Sequence, residues 1–432
     1  MYPKKIVSTL FLLIKNKLIF LSYYKLARNL NTVQFKNYNN KTILIENFWK
    51  NPNHIFRIWL VLKSLKKNNY SNVIILIWER DFVSKIMLSW IKGGKFIQIK
   101  KKYTFEDLKK TKAILKKINS HHEFLKLKLP LNIPSYVIYD TVLKNLRHPS
   151  PSIDNEEWTN SLASFFNLNN QFEKIIKEEK PSMVLVSHAW KNEFCSLIFQ
   201  GLGIKSNVYH LTSFCEGLRI KKISSLEDFH NPVDYLDYNI FKKLSVKTKR
   251  HLSLLGFDEL KRRQGNLIND INVNQAYSRK IDLNLKKINF FNNSKKKKVL
   301  IAAHAWYDYP HSFGMKNFSD FFEFINLTFK IIKKDKSIEW YFKPHPSEDW
   351  YGGFKLKNII KSDNKNIFFV SNDVRTEDII NYCDVVITVH GTIALEAAAL
   401  NKNVICADNS YFSNWPFAKT CKSQHDYIDT LQ

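Results

Sequence analysis

The sequence predicts an α/β protein of two Rossmann-like domains that face a cleft. Short apolar runs of strand length alternate with segments whose apolar residues recur every three or four positions, as in helices that cover a parallel sheet. Polar residues directly follow several of these runs, at the edge where α/β sheets hold ligands. The motif Ser187–Trp190 (SHAW) closes one such run and Ala303–Trp306 (AHAW) closes another, which indicates two similar halves.

Length and composition agree with this class. With 432 residues the chain is long for one domain, and two domains are expected. An apolar content of 44%, including 14% aromatic residues, is sufficient for two cores and excludes a disordered or fibrous chain. Because the chain has only 11 glycines, a fold built on glycine-rich phosphate loops is not expected.

The formal net charge of +28 raises the question of nucleic-acid binding. The basic residues are spread over the whole chain, and no RNA- or DNA-binding motif is found among them, so no nucleic-acid partner is expected. The charge instead favours other anionic partners, namely nucleotide diphosphates, acidic polysaccharides and anionic lipid surfaces.

Cysteine usage and the N-terminus bear on location. The five cysteines form no CxxC pair, and their spacing is not that of zinc ligands, so buried free thiols in a reducing cytoplasm are expected. The largely apolar stretch Ile6–Tyr24 is interrupted by Lys15 and Lys17, and its longest clean run, Ile6–Ile14, is shorter than the roughly 20 apolar residues of a membrane span. A packed helix is expected there. A basic helix peripheral to the inner membrane and a secretory signal are the alternatives.

Residues 1–290 are expected to form an N-terminal α/β domain with helical insertions. A mostly helical region is predicted at Thr104–Glu178, and a charged helix at Phe241–Asn269. A helix at Asn192–Leu202 is stopped by Gly203. The predicted strands are apolar runs typical of a buried parallel sheet: Thr42–Glu46, Asn72–Trp78, Phe96–Ile99, Met183–Ser187 and Ser206–His210.

A linker is predicted at Asn292–Lys298, where two asparagines and a serine precede four lysines. Residues 296–432 are expected to form a second Rossmann-like domain. Its predicted strands are Val299–Ala303, Ile338–Phe342, Ile367–Val370, Val385–Val389 and Val404–Ala407. Its predicted helices are Asp320–Lys334, Thr376–Tyr382, Ile393–Leu400 and one that begins near Gln424.

One polar cluster of the second half ends a predicted strand with the residues Lys343, Pro344, His345 and Pro346. The two prolines fix the backbone on both sides of His345 and remove two backbone donors. A rigidly held histidine beside a lysine suits the binding of a diphosphate or the stabilisation of a departing phosphate. A simple turn with a capping histidine is the structural alternative.

The second cluster contains His390, Gly391 and Thr392, where a strand gives way to a helix. Gly391 allows close approach of the backbone to a ligand, and Thr392 is expected to cap the helix, whose first N–H groups favour phosphate. Glu396 follows on the same helix face and is expected to hold a ribose hydroxyl pair, as an acidic residue does in dinucleotide folds. A surface carboxylate is the alternative, although the neighbouring residues are apolar.

A third cluster contains His304, Asp308 and His311. His304 is expected to contribute to the nucleotide site, and Asp308 is expected to orient a histidine or to act as a base. A metal site formed by these three residues is conceivable, but their spacing is not a known zinc pattern, and no metal is expected. The nearby aromatic residues are expected either to stack on a base or sugar or to belong to the core.

The first half offers fewer candidates. His188 and Glu216 each follow a predicted strand, and either could activate an acceptor hydroxyl as a base. An ordinary turn residue is the alternative for both.

Several of these motifs together resemble the bacterial capsule polysaccharide biosynthesis glycosyltransferases of the GT-B type. That group is related to Kdo transferases and polysialyltransferases and, more distantly, to CDP-glycerol glycerophosphotransferases. The matching pieces are HAWYDYPHSFG at His304–Gly314, WYFKPHPSEDWY at Trp340–Tyr351, ITVHGTIALEAAALNKNVICAD at Ile387–Asp408, SYFSNWPF at Ser410–Phe417 and, more loosely, PSMVLVSHAW at Pro181–Trp190.

The resemblance implies an enzyme that moves a sugar from a nucleotide-activated donor to a growing surface polysaccharide or its lipid-linked primer. It implies that His345, His390, Gly391 and Thr392 contact the donor phosphates. The catalytic acid or base of such enzymes lies in the first half. The donor is expected to be CMP- or UDP-linked, with no further cofactor.

Two alternatives to this function are kept. One is a transferase of polyol phosphate from a CDP-activated donor, and the other is a non-catalytic protein of polysaccharide assembly. Enzymes of the GT-B type usually end in helices that cross back to the first domain, whereas here the sequence ends within a helix predicted from Gln424. A shortened or complemented enzyme is therefore a further expectation.

Overall fold

The computed structural model describes residues 30, 33–34, 41–48, 52–65, 72–187, 194–214, 217–230, 237–265, 294–360 and 365–432. Two compact units are found, each built on a six-stranded sheet with helices around it. The predicted α/β class with two Rossmann-like domains is confirmed. The stretch Ile6–Tyr24, for which an N-terminal helix was predicted, lies outside the described residues.

The strands and helices account for most of the described chain. In chain order the strands are β1 (Val33–Gln34), β2 (Thr42–Glu46), β3 (Asn72–Trp78), β4 (Ile91–Lys92), β5 (Lys95–Ile99), β6 (Met183–Val186), β7 (Asn207–Phe214), β8 (Gly217–Ile223), β9 (Lys298–Ala302), β10 (Glu339–Lys343), β11 (Ile367–Phe369), β12 (Val385–Thr388), β13 (Asn403–Cys406) and β14 (Ala418–Thr420). The helices are α1 (Pro52–Leu65), α2 (Phe82–Met87), α3 (Phe105–Leu115), α4 (His121–Leu125), α5 (Tyr136–Leu146), α6 (Glu156–Glu179), α7 (Cys195–Gly203), α8 (Leu226–His230), α9 (Tyr238–Lys243), α10 (Val246–Gln264), α11 (Phe321–Ile332), α12 (Glu348–Tyr351), α13 (Thr376–Tyr382), α14 (Ile393–Ala399) and α15 (Gln424–Leu431).

Both sheets have the strand order of a Rossmann fold. In unit 1 the order across the sheet is β5-β3-β2-β6-β7-β8, and in unit 2 it is β11-β10-β9-β12-β13-β14. Numbered by appearance in the chain, each is the order 3-2-1-4-5-6. All neighbours are parallel except β7 and β8, which form an antiparallel hairpin that the sequence did not predict. In such a sheet the strand order reverses between the first and the fourth strand. The carboxyl ends of these two strands form the switch point, which is where ligands bind.

The two units do not divide between residues 290 and 296 as predicted. Unit 1 contains Met1–Lys116, Lys128–Ile133 and Thr159–Pro232, whereas unit 2 contains Lys117–Leu127, Pro134–Trp158 and Val233–Gln432. Two buried hydrogen bonds hold α5 in unit 2: the Tyr139 hydroxyl donates to Asp320 at 2.7 Å, and Asp140 accepts from the His311 ring at 2.7 Å. The helical insertions are therefore divided: α4 and α5 belong to unit 2, whereas α3 and most of α6 belong to unit 1.

Local capping explains where several helices begin. The charged helix predicted at Phe241–Asn269 is divided into α9 and α10, because the Ser245 side chain accepts from the backbone of Thr248 and starts a new helix. Asp320 starts α11 in the same way by accepting from the backbone of Glu323. Where such caps exist, the predicted helix boundaries shift by a few residues toward them.

The sheets are buried on both faces, which is why their strands are continuous apolar runs. In unit 2 the sheet separates two hydrophobic cores. Side chains such as Val299, Ile301 and Phe342 belong to the core on one face, and Leu300 and Tyr341 belong to the core on the other. Cys383, Cys406 and Cys421 are buried free thiols as predicted, Cys195 is also buried, and Cys215 lies outside the described residues. Among the helices that the structure describes, none is long and apolar enough to cross a membrane.

Candidate functional site

The carboxyl edge of the unit 2 sheet gathers the polar motifs that the sequence singled out. His304 follows β9, His345 follows β10 and His390 follows β12. Because β9 and β12 are neighbours in the sheet, His304 and His390 flank the switch point of the Rossmann order. The rings of these two histidines have centroids 4.7 Å apart. The edge is therefore a candidate site for a nucleotide.

His304 is held by a set of bonds that determines its protonation. Its Nε2 atom accepts from the Thr388 hydroxyl at 3.0 Å and from the backbone N–H groups of Val389 and His390 at 3.3 and 3.4 Å. Accepting at Nε2 requires the neutral ring with its proton on Nδ1. The ring is buried and stacks on Phe321 with centroids 4.2 Å apart. His304 thus ties the end of β9 to the turn after β12.

The two histidines at the switch point are uncharged at neutral pH. Burial, together with His311, lowers the pKa of His390 to about 3. Burial also lowers the pKa of His304 well below its ordinary value, with smaller contributions from His390 and His345. These residues can offer hydrogen bonds to a ligand but not positive charge.

We expect replacement of His390 by glutamine to change how stability depends on pH. When the pKa of a histidine is lower in the folded protein than in the unfolded chain, acid destabilises the folded protein. For His390 this loss runs from the unfolded pKa, near 6.5, down to the folded pKa, about 3. In that window the wild type should lose about 1.4 kcal/mol per pH unit more than the His390→Gln variant. Urea unfolding from about pH 7 to about pH 5 measures this difference. Parallel curves for the two proteins would contradict the neutral assignment.

Gly391 is required by close packing rather than by an unusual backbone angle. A Cβ atom at this position would lie 2.9 Å from Thr388 Oγ1 and 3.4 Å from Cε1 of His304. Thr388 is buried, and its hydroxyl is the one that bonds to His304. A side chain at position 391 would therefore force apart the contact that joins β9 to β12. The close packing seen here is within the chain itself, and the approach of Gly391 to a ligand stays a prediction.

Replacement of Gly391 by alanine should cost about 1–3 kcal/mol of stability, because the clash is with a buried and bonded hydroxyl. Chemical denaturation measures the cost. A Cβ atom added at Gly256 in α10 would meet nothing within 4 Å, so Gly256→Ala is a matched control that should be neutral or stabilising. Equal effects of the two substitutions would contradict the packing argument.

The residue after Gly391 does not cap its helix as predicted. Thr392 has φ −59° and ψ −19°, and its side chain makes no cap hydrogen bond. The reason is that a capping side chain needs an extended backbone, whereas Thr392 is already helical. Its side chain is exposed, and its carbonyl accepts from Leu395 and Glu396. Glu396 is buried on α14, so the alternative of a surface carboxylate is excluded.

In the turn after β10, one ring nitrogen of His345 is already hydrogen-bonded within the turn. The Ser347 backbone N–H donates to His345 Nδ1 at 3.2 Å, and the Ser347 hydroxyl lies 2.7 Å from the same atom. With Nδ1 accepting, the neutral ring carries its proton on Nε2. His345 and Pro346 are both partly exposed, unlike the buried His304 and His390. Of the three histidines, His345 is therefore the least buried.

Lys343 has a different role from the one predicted. Its side chain is buried, and its ammonium donates to the carbonyls of Val374 at 2.8 Å and Ser371 at 3.4 Å. These bonds hold the loop that follows β11 rather than an open site. Lys343 therefore supports the turn that carries His345, and the predicted direct contact with phosphate is not what its bonding indicates.

The third cluster separates in the structure. His304 bonds to the turn after β12, His311 bonds to Asp140, and Asp308 is half exposed with Lys144 3.8 Å away. These three side chains therefore do not form a common metal site. Within the described ranges, no group of three or more His, Cys, Asp or Glu residues could hold a metal ion.

The aromatic residues of this cluster belong to the core. Trp306 is buried and donates to Glu348 at 3.1 Å, and the buried Tyr307 hydroxyl accepts from the backbone of Phe354 at 2.7 Å. Burial raises the pKa of Glu348. The alternative in which these rings stack on a base or sugar is not supported.

At the corresponding edge of unit 1, a carboxylate links the ends of two neighbouring strands by hydrogen bonds. Glu46, at the end of β2, accepts from the backbone of Ser187 at 2.9 Å and from its hydroxyl at 2.6 Å, across the switch point between β2 and β6. The predicted catalytic residues His188 and Glu216 lie outside the described residues. Their roles remain predictions.

Two buried carboxylates near the unit 2 edge were not among the residues predicted from the sequence. Asp140 on α5 bonds to His311, and Asp408 after β13 accepts backbone N–H groups from Lys316, Asn317 and Asn409. The available signal was that Asp140 is a lone acid among apolar residues of a predicted helix. Such a residue is buried and therefore needs a partner.

Comparisons with known proteins find distantly similar solved structures and no family. No protein-family model matches the chain, and no curated protein does either. Among solved structures, the β-Kdo 2,4-transferase KpsC of Thermosulfurimonas dismutans is 14% identical with a TM-score of 0.41, covering 57% of this chain and 78% of that chain. UDP-GlcNAc 2-epimerase of Neisseria meningitidis, bound to UDP-GlcNAc, is 15% identical with a TM-score of 0.27, covering 90% of each chain.

A third match is the spinosyn rhamnosyltransferase SpnG in complex with thymidine diphosphate. It is 9% identical with a TM-score of 0.24, and the match covers 90% of this chain and 89% of that chain. At these TM-scores the likeness transfers no ligand, activity or family to this chain.

Proposed function

We propose that this protein is a glycosyltransferase that moves a sugar from a nucleotide-activated donor to a surface polysaccharide or its lipid-linked primer. The observation that carries the proposal is the placement of His304, His345 and His390 after strands β9, β10 and β12, around the switch point of a Rossmann sheet. The motif resemblance to capsule glycosyltransferases points to the same residues. Unit 2 would hold the donor nucleotide.

In this proposal His345 stabilises the leaving phosphate. Its Nδ1 atom accepts from Ser347, so the neutral ring carries its proton on Nε2, and in the proposal this N–H group donates to a phosphate oxygen. Negative charge grows on that oxygen as the bond to the sugar breaks, so the hydrogen bond strengthens in the transition state. Pro346 follows His345 and keeps the turn rigid.

The remaining residues have supporting roles. His304, His390, Gly391 and Thr392 would line the phosphate side of the site, the histidines as neutral hydrogen-bonding groups. Glu396 would hold the ribose hydroxyls. For acceptor activation the sequence predicts His188 or Glu216, with Asp308 in reserve.

The proposal includes transfer without a metal ion, in the cytoplasm or at the inner membrane surface. Neutral histidine donors and backbone N–H groups would offset part of the phosphate charge. Turnover that survives an excess of EDTA would support this part. Loss of turnover in EDTA, restored by a divalent cation, would defeat it.

A donor panel tests the function. Thermal shifts should reveal binding of CMP, CDP, UDP or GDP compounds, because a ligand that binds only the folded protein raises its melting temperature. The binding nucleotide then selects the sugar donors for a transfer assay. Turnover of CDP-glycerol but of no nucleotide sugar would replace this proposal by polyol-phosphate transfer. Nucleotide binding without transfer to any acceptor would indicate a non-catalytic assembly protein.

A further inference from the structure

A buried histidine–aspartate pair lies beside the candidate donor site, and none of the roles predicted from the sequence involves it. His311 is in the short turn Pro310–Phe313 that follows β9, and Asp140 is on α5. His311 Nδ1 donates to Asp140 Oδ1 at 2.7 Å, and the His311 backbone N–H donates to Oδ2 of the same carboxylate at 3.2 Å. His311 and Asp140 are only 1% and 2% exposed.

The surroundings lock the ring in one orientation. Tyr136 stacks on His311 with centroids 5.3 Å apart and an interplanar angle of 11°. Tyr139 meets the ring edge-on at 5.5 Å and 76°. Two bonds to one carboxylate and two aromatic contacts leave the imidazole little freedom to rotate. The proton therefore stays on Nδ1, and the lone pair stays on Nε2.

The second ring nitrogen is the unexplained feature. Nε2 of His311 is buried and has no hydrogen-bond partner among the described residues. A buried polar atom without a partner costs about 1–3 kcal/mol, and a phenylalanine would fill the same space without that cost. A carboxylate-oriented imidazole with an unsatisfied Nε2 has two of the three parts of a catalytic triad, and the missing part is a hydroxyl group.

The pair lies at the carboxyl edge of the sheet. The His311 ring is close enough to His390, after β12, to contribute to lowering the pKa of that residue. It also acts on Asp408, after β13, where its influence lowers a pKa that burial raises. His311 is therefore close enough to the residues that follow β12 and β13 to interact with them electrostatically.

We propose that His311 is the base that accepts the proton of the acceptor hydroxyl, and that Asp140 positions it. This inference rests on the proposed glycosyl transfer. In the step, the acceptor oxygen forms a bond to the anomeric carbon, and the bond from that carbon to the donor phosphate breaks, its electron pair going to the phosphate. The acceptor proton moves to Nε2 of His311 and then to solvent. Asp140 stabilises the imidazolium that forms.

The charged and titratable groups that face the pair come from several elements. Asp140 and the phenol groups of Tyr136 and Tyr139 are on α5, His390 follows β12 and Asp408 follows β13. Burial raises the pKa of Asp140, and Asp308, in the same loop as His311, adds a smaller increase. Of these, only Asp140 bonds directly to the His311 ring.

Three variants of the full chain test the proposal. Nucleotide release is measured from CMP-sialic acid, UDP-N-acetylglucosamine and GDP-mannose, with oligosialic acid and chito-oligosaccharides as acceptors. His311→Gln should lower kcat by at least about a hundredfold and leave the Kd for the free nucleotide within about twofold. Asp140→Asn should cause a similar loss of kcat, because it favours the wrong tautomer. Asp429→Asn, which removes an exposed carboxylate on α15 of the same unit, is the control and should stay within about threefold.

The pH profile separates a base from a structural residue. In the wild type, kcat/KM should rise tenfold per pH unit on the acidic limb, and this limb should be absent in His311→Gln. A folded His311→Gln variant with kcat within about threefold of wild type, or with the same acidic limb, would overturn the proposal. If that variant does not fold, the kcat of Asp140→Asn and the acidic limb of its pH profile decide in its place.

The failure of this inference differs from the failure of the proposed function. A wild-type chain that releases no nucleotide from any donor defeats both. A wild type that transfers sugar, with large losses in His188→Ala or Glu216→Ala and none in His311→Gln, retains the function and defeats only the assignment of the base.

Discussion

Replacement of His345 by alanine should reduce sugar transfer by about a hundred- to thousandfold while the fold remains intact. In the proposed function the Nε2–H group of His345 donates to the phosphate, because Nδ1 accepts from Ser347 and the ring proton is on Nε2. The bond to the leaving phosphate is worth most when charge has developed, so kcat should fall more than nucleotide affinity. Steady-state kinetics with the donor found in the panel, alongside a nucleotide titration, measures both effects.

The matched control for this prediction is His425→Ala. His425 is on α15, and its side chain is 85% exposed beside Asp429, so its loss should change neither turnover nor stability appreciably. Circular dichroism and a melting curve confirm that His345→Ala is folded. Near-normal transfer by that variant would remove the phosphate role from His345 and leave the unit 2 edge without its best donor.

Replacement of Asp408 by alanine should destabilise the protein by about 3–5 kcal/mol. This carboxylate is fully buried and accepts the backbone N–H groups of Asn409 at 2.6 Å, Asn317 at 2.5 Å and Lys316 at 3.0 Å. Alanine would leave three buried donors without an acceptor, each at a cost of about 1–3 kcal/mol that relaxation partly recovers. Urea unfolding followed by tryptophan fluorescence measures the loss.

Two further variants interpret that result. Asp408→Asn keeps one acceptor oxygen in nearly the same volume and should cost less than alanine. Asp429→Ala removes an exposed carboxylate of the same unit and should lie within about 0.5 kcal/mol of wild type. If Asp408→Ala were no more harmful than Asp429→Ala, the loop would not depend on this carboxylate.

Much of the fold could be predicted because each buried parallel strand is a continuous apolar run in the sequence. The run Asn72–Trp78 is apolar at six of its seven positions, since helices cover both faces of the sheet, and it is β3 without a change of boundary. The polar residues His304, His345 and His390 were predicted at strand ends for the same reason. Parallel strands end at one edge, so the sequence also implied that these residues lie near one another.

The protonation of the candidate site could not be predicted in this way. His304 and His390 are neutral because they are buried, and their burial depends on side chains such as Phe321 that are far from them in the sequence. The absence of a cap at Thr392 and the redirection of Lys343 toward Val374 also depend on backbone geometry and packing. Residue type indicates what a side chain can do, and its neighbours decide which of those roles it has.

The sequence by itself determined the α/β class, the two sheets and the strand ends that carry the histidines. These features follow from hydrophobic periodicity, which extends over only a few residues. The tertiary structure alone decided that α5 belongs to the second unit, that Gly391 is packed against Thr388, and that Asp140 meets His311 across 171 positions of the chain. A contact over that distance leaves no periodic pattern in the sequence, because it exists only once both segments pack on the same sheet.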